Sequence, residues 1–216
     1  MKQFKVIEQL QLIDGILMCK KPSGHSYQRA HYRQGDLDGA CGAYSLAMTL
    51  NILGVFKAED FDSDPDDVDN RIAKFRLIKA LNEYGLYRKG LKGEEIRDIL
   101  SRQFSKFISV DYLEKDEIDI NDTIRSNIDN NTPVIVGIDY NKYKGHWIVA
   151  VGYEVDKKGN IKALLTLDPG NDSPTYCLWN GVLSLDKIPR KTYGYPYNSS
   201  QNLVDISEIL ILHKKH

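Results

Sequence analysis

The chain has few of the residues that would point to extracellular armour or a structural metal. Of its 216 residues only three are cysteine, Cys19, Cys41 and Cys177. They are sparse, odd in number and show neither CxxC nor CxxH spacing, which argues against a disulfide framework and against a zinc site. Charge of one sign is also lacking: 29 Lys and Arg against 30 Asp and Glu leave a formal net charge of -1. No global field therefore recommends nucleic acid as a partner. No apolar run approaches the length of a membrane span, so membrane insertion is not expected. Residues 1–14 lack the continuous apolar core and small-residue cleavage site of a signal peptide. This predicts a soluble protein that is cytoplasmic or leaves the cell by a route without an N-terminal signal.

What is present is enough apolar residue, 42% of the chain, to bury one sizeable core, and residues 1–216 are expected to form a single domain. Residues 5–20 read as a strand or hairpin turning at Asp14-Gly15, and residues 21–40 as an ordered loop. From Gly42 the apolar positions Ala43, Leu46, Ala47, Leu50 and Leu53 follow helical spacing, and Gly54 sits where a C-terminal cap belongs. Further helices are predicted over 66–84, 94–104 and 121–130. After Pro133 the pattern changes. Short β-branched and apolar runs over 134–139, 147–153, 161–167 and 209–213 read as strands, with residues 156–160 as the hairpin turn between two of them. A helical half of about 30–130 followed by a sheet half of about 131–216 predicts an α+β fold of two lobes with a cleft where they meet.

Cys41 is the most informative residue. It ends the polar run Gln34-Gly-Asp-Leu-Asp-Gly-Ala and opens the apolar helix. Unpaired N–H groups and the positive end of the helix dipole favour thiolate there, which makes a sulfur nucleophile without a metal. Downstream the chain supplies Gly145-His146-Trp147 opening one strand and Asp168-Pro169-Gly170 ending the next. A base must reach the sulfur, and a third group must fix which ring nitrogen faces it. Read singly, each of these residues has a plainer account: a small buried thiol, a core histidine, a turn aspartate. His25 and His31 are rival bases by composition, but both lie in the loop before the helix.

The order Gln, Cys-Gly helix, Gly-His-Trp strand, Asp-Pro resembles the papain-like cysteine peptidases. It is closest to their bacterial bacteriocin-processing branch and its free-standing relatives. The likeness covers residues 30–55 and 133–170. It implies a papain-like α+β fold with Cys41 as nucleophile, His146 as base and then acid, Asp168 as the orienting carboxylate and Gln34 as an oxyanion donor. Six residues separate Gln34 from Cys41, one more than is usual in the family, so Asp36 and Asp38 are alternatives to Gln34 in lining the site. Gly145 and Trp147 beside the histidine are the expected substrate contacts, with Tyr195 in the aromatic loop 193–197 as a third. The resemblance implies a protein or peptide substrate and neither cofactor nor metal. It leaves open glutamine deamidase, transglutaminase or acyltransferase outcomes, an effector or toxin role, and an inactive binding scaffold. The acidic run 59–69 lacks the Gly and closing Glu of a calcium loop and reads as a solvated turn. Nothing in the chain sets an oligomeric state.

Overall fold

The computed structural model describes residues 3–35, 39–61, 69, 71–83 and 90–215. The elements in chain order are β1 (Gln3–Val6), β2 (Leu10–Ile13), β3 (Ile16–Lys20), β4 (Tyr27–Arg29), α1 (Cys41–Ile52), α2 (Ala73–Glu83), α3 (Gly93–Gln103), β5 (Ile108–Glu114), α4 (Ile120–Asp129), β6 (Val134–Asn141), β7 (Lys144–Val155), β8 (Ile161–Leu167), β9 (Gly181–Ser184), β10 (Tyr195–Tyr197) and β11 (Ser199–Lys214). The mixed composition bears out the α+β reading, and the large sheet with helices before it is consistent with a papain-like fold.

Every pairing in the large sheet is antiparallel, and the sheet closes on itself. From β7 it runs through β6, β11, β10 and β9 to β8, and β8 pairs back onto β7. Closure removes the strand edges that an open sheet would expose. Two strands from before residue 131 join the outside of this barrel: β1, ahead of the helical half, pairs with β7, and β5, from within that half, pairs with β11. The expected boundary near residue 131 is therefore crossed. Both strands do alternate, Phe4 and Val6 in β1 and Ile108, Val110 and Tyr112 in β5, but no local pattern announces the distant partners that fix them in the sheet. A separate sheet, β2-β3-β4, contains the anticipated hairpin, with Asp14 and Gly15 both at positive φ as a two-residue turn requires. Its third strand, β4, arises within the expected loop 21–40 by pairing with β3.

Helix α1 runs through the core, with nine residues buried. It ends in a Schellman motif: Gly54 at φ 63° donates to the Asn51 carbonyl, and Val55 donates to that of Leu50. Helices α3 and α4 lie within a residue of the expected spans, and Asp119 caps α4 by accepting from the Asp122 N–H. The expected helix 66–84 is described only as α2; its proposed start at Asp66 and Asp67 and its stop at Gly85 fall outside the described residues. Helices and barrel share one apolar cluster, to which Leu46 and Leu50 of α1 and Ile148 and Val149 of β7 all belong. Among the described residues no helix is long and apolar enough to cross a membrane.

Candidate active site

One hydrogen bond sets the level at which α1 meets the barrel. Ser45, one turn along from Cys41 and therefore on the same helix face, donates its hydroxyl to the carbonyl of Trp147 at 3.1 Å. That clamps the first turn of α1 beside the start of β7 and brings Cys41 to His146. Gly42 makes the approach possible, since a Cβ there would lie 3.2 Å from the Trp147 ring. Cys41 is the first helical residue, 9% exposed, with no side-chain cap and no acidic residue in the first turn. Its backbone N–H has no partner within the helix.

His146 is held from both sides. Its Nε2 lies 2.6 Å from Asp168 Oδ1, and the ring is hydrogen-bonded to Cys41, which leaves Nδ1 for the sulfur. Burial pulls the imidazole down, but the bonds to Asp168 and Cys41 outweigh it and lift the group from 6.5 to about 9. The imidazolium is therefore the favoured form at neutral pH. Asp168 shows the same interaction from the other partner. Burial raises its carboxyl, but the bond and charge of His146, then Tyr197 and Gly170, hold it below the ordinary carboxylate range.

Asp168 is 4% exposed and every side of it is occupied. The Tyr197 hydroxyl donates to Oδ2 at 2.5 Å, and the Gly170 N–H donates to Oδ1 at 2.7 Å. Its backbone is fixed as firmly. Asn180 accepts from the Asp168 N–H at 2.6 Å and donates to its carbonyl at 2.9 Å. His31 Nε2 lies 2.9 Å from the same carbonyl and 3.1 Å from the Asn180 amide nitrogen. The two amide hydrogens of Asn180 have carbonyl acceptors at Asp168 and Asp172, so His31 must be the donor, in its Nε2–H tautomer. Burial lowers the His31 imidazole, in keeping with a neutral ring. His31 thus supports Asp168 and does not compete with His146 as the base.

The other expected residues are distributed as follows. Gly145 and Trp147 line a cavity of about 220 Å³ together with Cys41 and His146. Trp147 is 7% exposed; its indole N–H donates to the Leu91 carbonyl at 2.7 Å, and its ring packs over Gly42, Gly93 and Gly137. It is a wall of that cavity as much as a peg between α1, α3 and β6. Gln34 donates its backbone N–H to the Pro169 carbonyl, tying the loop before α1 to the Asp168 turn. Its buried Oε1 has no partner among the described residues. Asp36 and Asp38 lie outside the described residues. Tyr195 is not brought to the Cys41 cavity. It lines another, with Lys115, Lys187 and Asp205, and the Lys187 ammonium lies 5.0 Å from its ring centroid. Tyr197, two residues on in β10 and past a register shift between Pro196 and Tyr197, is the one that reaches the site. Tyr197, Asn180 and the supporting role of His31 are not legible in the sequence. Tyr140 also escapes sequence reasoning; burial, then the charges of Asp168 and Cys41, push its phenol up to about 12.

Among the described residues no group of three or more His, Cys, Asp or Glu is arranged to hold a metal ion. Of the acidic run, Glu59 pairs with Lys21, and Asp60 pairs with Lys74 at 2.7 Å. Cys19 is fully buried and burial pushes its thiol up to about 12. Cys177 donates to the Trp179 carbonyl.

The arrangement can pass a proton between a sulfur and an imidazole whose other nitrogen is anchored on a carboxylate, beside a cavity that opens onto the sulfur. A comparison with curated proteins finds no significant match to the chain. A family model does match, over residues 25–179, a span that contains Gln34, Cys41, His146 and Asp168. The chain belongs to the Peptidase_C39 like family, and so to the papain-like cysteine peptidases whose order of residues it displays.

Proposed function

We propose that the protein is a cysteine peptidase that hydrolyses a peptide or isopeptide bond through Cys41, His146 and Asp168. The observation that carries this reading is the double engagement of His146, hydrogen-bonded to the Cys41 sulfur and 2.6 Å from Asp168. The Cys41 thiolate attacks the scissile carbonyl, and the imidazolium then gives its proton to the leaving amine, which departs as an acyl-enzyme forms. Neutral His146 next takes a proton from water. The resulting hydroxide attacks the thioester, releasing the acid and restoring the thiolate–imidazolium pair. Asp168 keeps Nε2–H in place throughout and stabilises the cation that recurs at each turn.

The developing oxyanion needs donors aimed at it. The Cys41 backbone N–H, unused by the helix, is one, and the Gln34 side-chain amide is the second, a contribution of about 3 kcal/mol per donor in such sites. Gln34 is supported by its loop, which the Pro169 carbonyl ties to the Asp168 turn.

Iodoacetamide labelling at mildly acidic pH, read by peptide mass spectrometry, tests the thiolate. Cys41 is expected to react first, because Cys19 is buried and protonated and Cys177 is held as a donor. Equal labelling of Cys19 or Cys177 refutes the reading. Product mass then identifies the reaction: a peptidase yields two pieces, whereas a deamidase yields one chain heavier by about one dalton.

A further inference from the structure

Two carboxylates on the wall of the Cys41 cavity have no part in the reaction. Asp139 and Glu208 come from neighbouring strands, β6 and β11, and both line the cavity with Cys41 and His146. Backbone irregularities aim them there. The β11–β6 register shifts between Ile206 and Glu208, and the β6–β7 register shifts between Asp139 and Asn141. Such bulges re-aim the side chains beside them. Glycines make the room: a Cβ at Gly145 would lie 2.9 Å from Asp139 Oδ1, and one at Gly93 would collide with Glu208 Oε2.

The bonds that hold these carboxylates are to uncharged groups. Glu208 accepts from the Gly93 N–H at 2.8 Å and is bonded to Tyr112, and Asp139 is bonded to Ser207. Among the described residues neither has a Lys, Arg or His within ion-pair distance, whereas Asp60, Asp186 and Asp205 each have a lysine. The cations on the cavity wall do not fill this role. His146 is committed to Asp168, and Lys92 makes no ion pair with either carboxylate among the described residues. Burial pushes both carboxyls up, and the charge of Asp139 adds to that at Glu208. Two half-buried like charges thus face a space of about 220 Å³ that begins at the nucleophile, room for one side chain. The space continues past both of them into an outer groove toward Lys142 and Lys144. Asp139 lies within the family match at residues 25–179 and Glu208 beyond it.

We propose that Asp139 and Glu208 form a specificity subsite that takes a lysine or arginine side chain of the substrate at the first or second residue on the acyl side of the scissile bond. The proposal rests on the cysteine peptidase reading, since only a substrate acylating Cys41 brings a side chain into this cavity. A cation seated there supplies a countercharge that Glu208 lacks and that Asp139 has only at a distance from Lys115, itself paired with Asp205, while an acidic side chain adds a further negative charge and is rejected.

Irreversible labelling of the full chain by peptidyl chloromethyl ketones tests it, with the first or second residue from the ketone varied among Lys, norleucine and Glu. The Lys probe is expected to label Cys41 at least about tenfold faster than its norleucine match in one of the two series, with Glu slower than both. In an Asp139→Asn, Glu208→Gln double variant the Lys-to-norleucine ratio should fall to near one, and the amide oxygen introduced at position 208 can still accept from Gly93. A second measurement needs no variant: the wild-type ratio should shrink as salt rises from about 0.02 to about 0.5 M. Equal Lys and norleucine rates in both series overturn the subsite, as does an advantage that survives in the double variant or ignores salt. Iodoacetamide run in parallel separates the two failures. If it labels Cys41 selectively while the Lys advantage is absent, the subsite alone is wrong; if it does not, the peptidase reading fails and the subsite with it.

Discussion

Replacing Asp168 by Asn removes a charge from the most deeply buried part of the site, and its consequence for His146 can be worked from the structure. His146 rises from its ordinary 6.5 to about 9 although burial pulls it the other way. That rise corresponds to about 3 kcal/mol of preference for the imidazolium, and the favourable bonds together exceed it because they also offset desolvation. The sign follows from linkage. A group raised on folding contributes stability that is complete below pH 6.5 and is lost as pH climbs through about 9. The amide oxygen of the introduced asparagine can still accept from Gly170 or Tyr197, so the variant chiefly isolates the charge. Histidine Cε1 NMR resonances followed against pH give the midpoint, with His146 identified by the signal missing in His146→Ala. The wild-type midpoint is expected near 9, and Asp168→Asn should lower it by at least about one pH unit, the range an adjacent opposite charge produces. The basic limb of kcat/KM should move down with it, and kcat should fall by about 10²-fold or more. An unchanged midpoint in Asp168→Asn, or a wild-type His146 that titrates below about 7, would refute the assignment of Asp168 as its anchor.

Tyr197→Phe deletes a donor to Asp168, and urea unfolding should report a loss of about 1–3 kcal/mol. Asp168 lies below its ordinary value, so its contribution is present above pH 3.8 and disappears as pH falls through the folded value; without Tyr197 the carboxyl moves back toward 3.8, so the acid loss should be smaller and complete at higher pH. Ser45→Ala leaves the buried Trp147 carbonyl without this donor; it should cost about 1 kcal/mol in unfolding free energy and slow Cys41 alkylation, because the helix loses its clamp on β7. Gln34→Ala should lower kcat by about 10²-fold with little change in KM if its amide serves the oxyanion, and parallel losses in both would remove it from that role. Gly54→Ala, at φ 63° and with no contact closer than Pro22 Cα at 3.7 Å, should cost about 1 kcal/mol in thermal unfolding without altering Cys41 labelling.

The sequence carries the residues that begin elements and hides those that arrive from elsewhere. Cys41 and His146 are legible because one opens a helix and the other lies two residues into a strand, each beside a glycine, and local pattern marks such positions. Asp168 follows from ending the strand that pairs with the one His146 opens. The Asp14-Gly15 turn and the Gly54 cap are equally local, each demanding positive φ. The partners of Asp168 are not local. His31 precedes it by 137 residues and Tyr197 follows it by 29, and nothing near either says what its polar end will meet. The aromatic loop 193–197 draws attention to Tyr195, but choosing between it and Tyr197 needs the β10–β11 register, which only long-range pairing sets. Barrel closure is hidden for the same reason: the strand β8 takes two partners, and composition does not count neighbours.

The position of β11 has a consequence for biogenesis. It is the last of these strands in chain order, yet it lies between β6 and β10 in the barrel wall. Before it arrives during synthesis, both neighbours show bare edges, and the hydroxyl that steadies Asp168 hangs on a three-residue strand with little to pair it. A ribosome-bound chain thus carries its sulfur and imidazole before the strand that completes the wall behind them has been made.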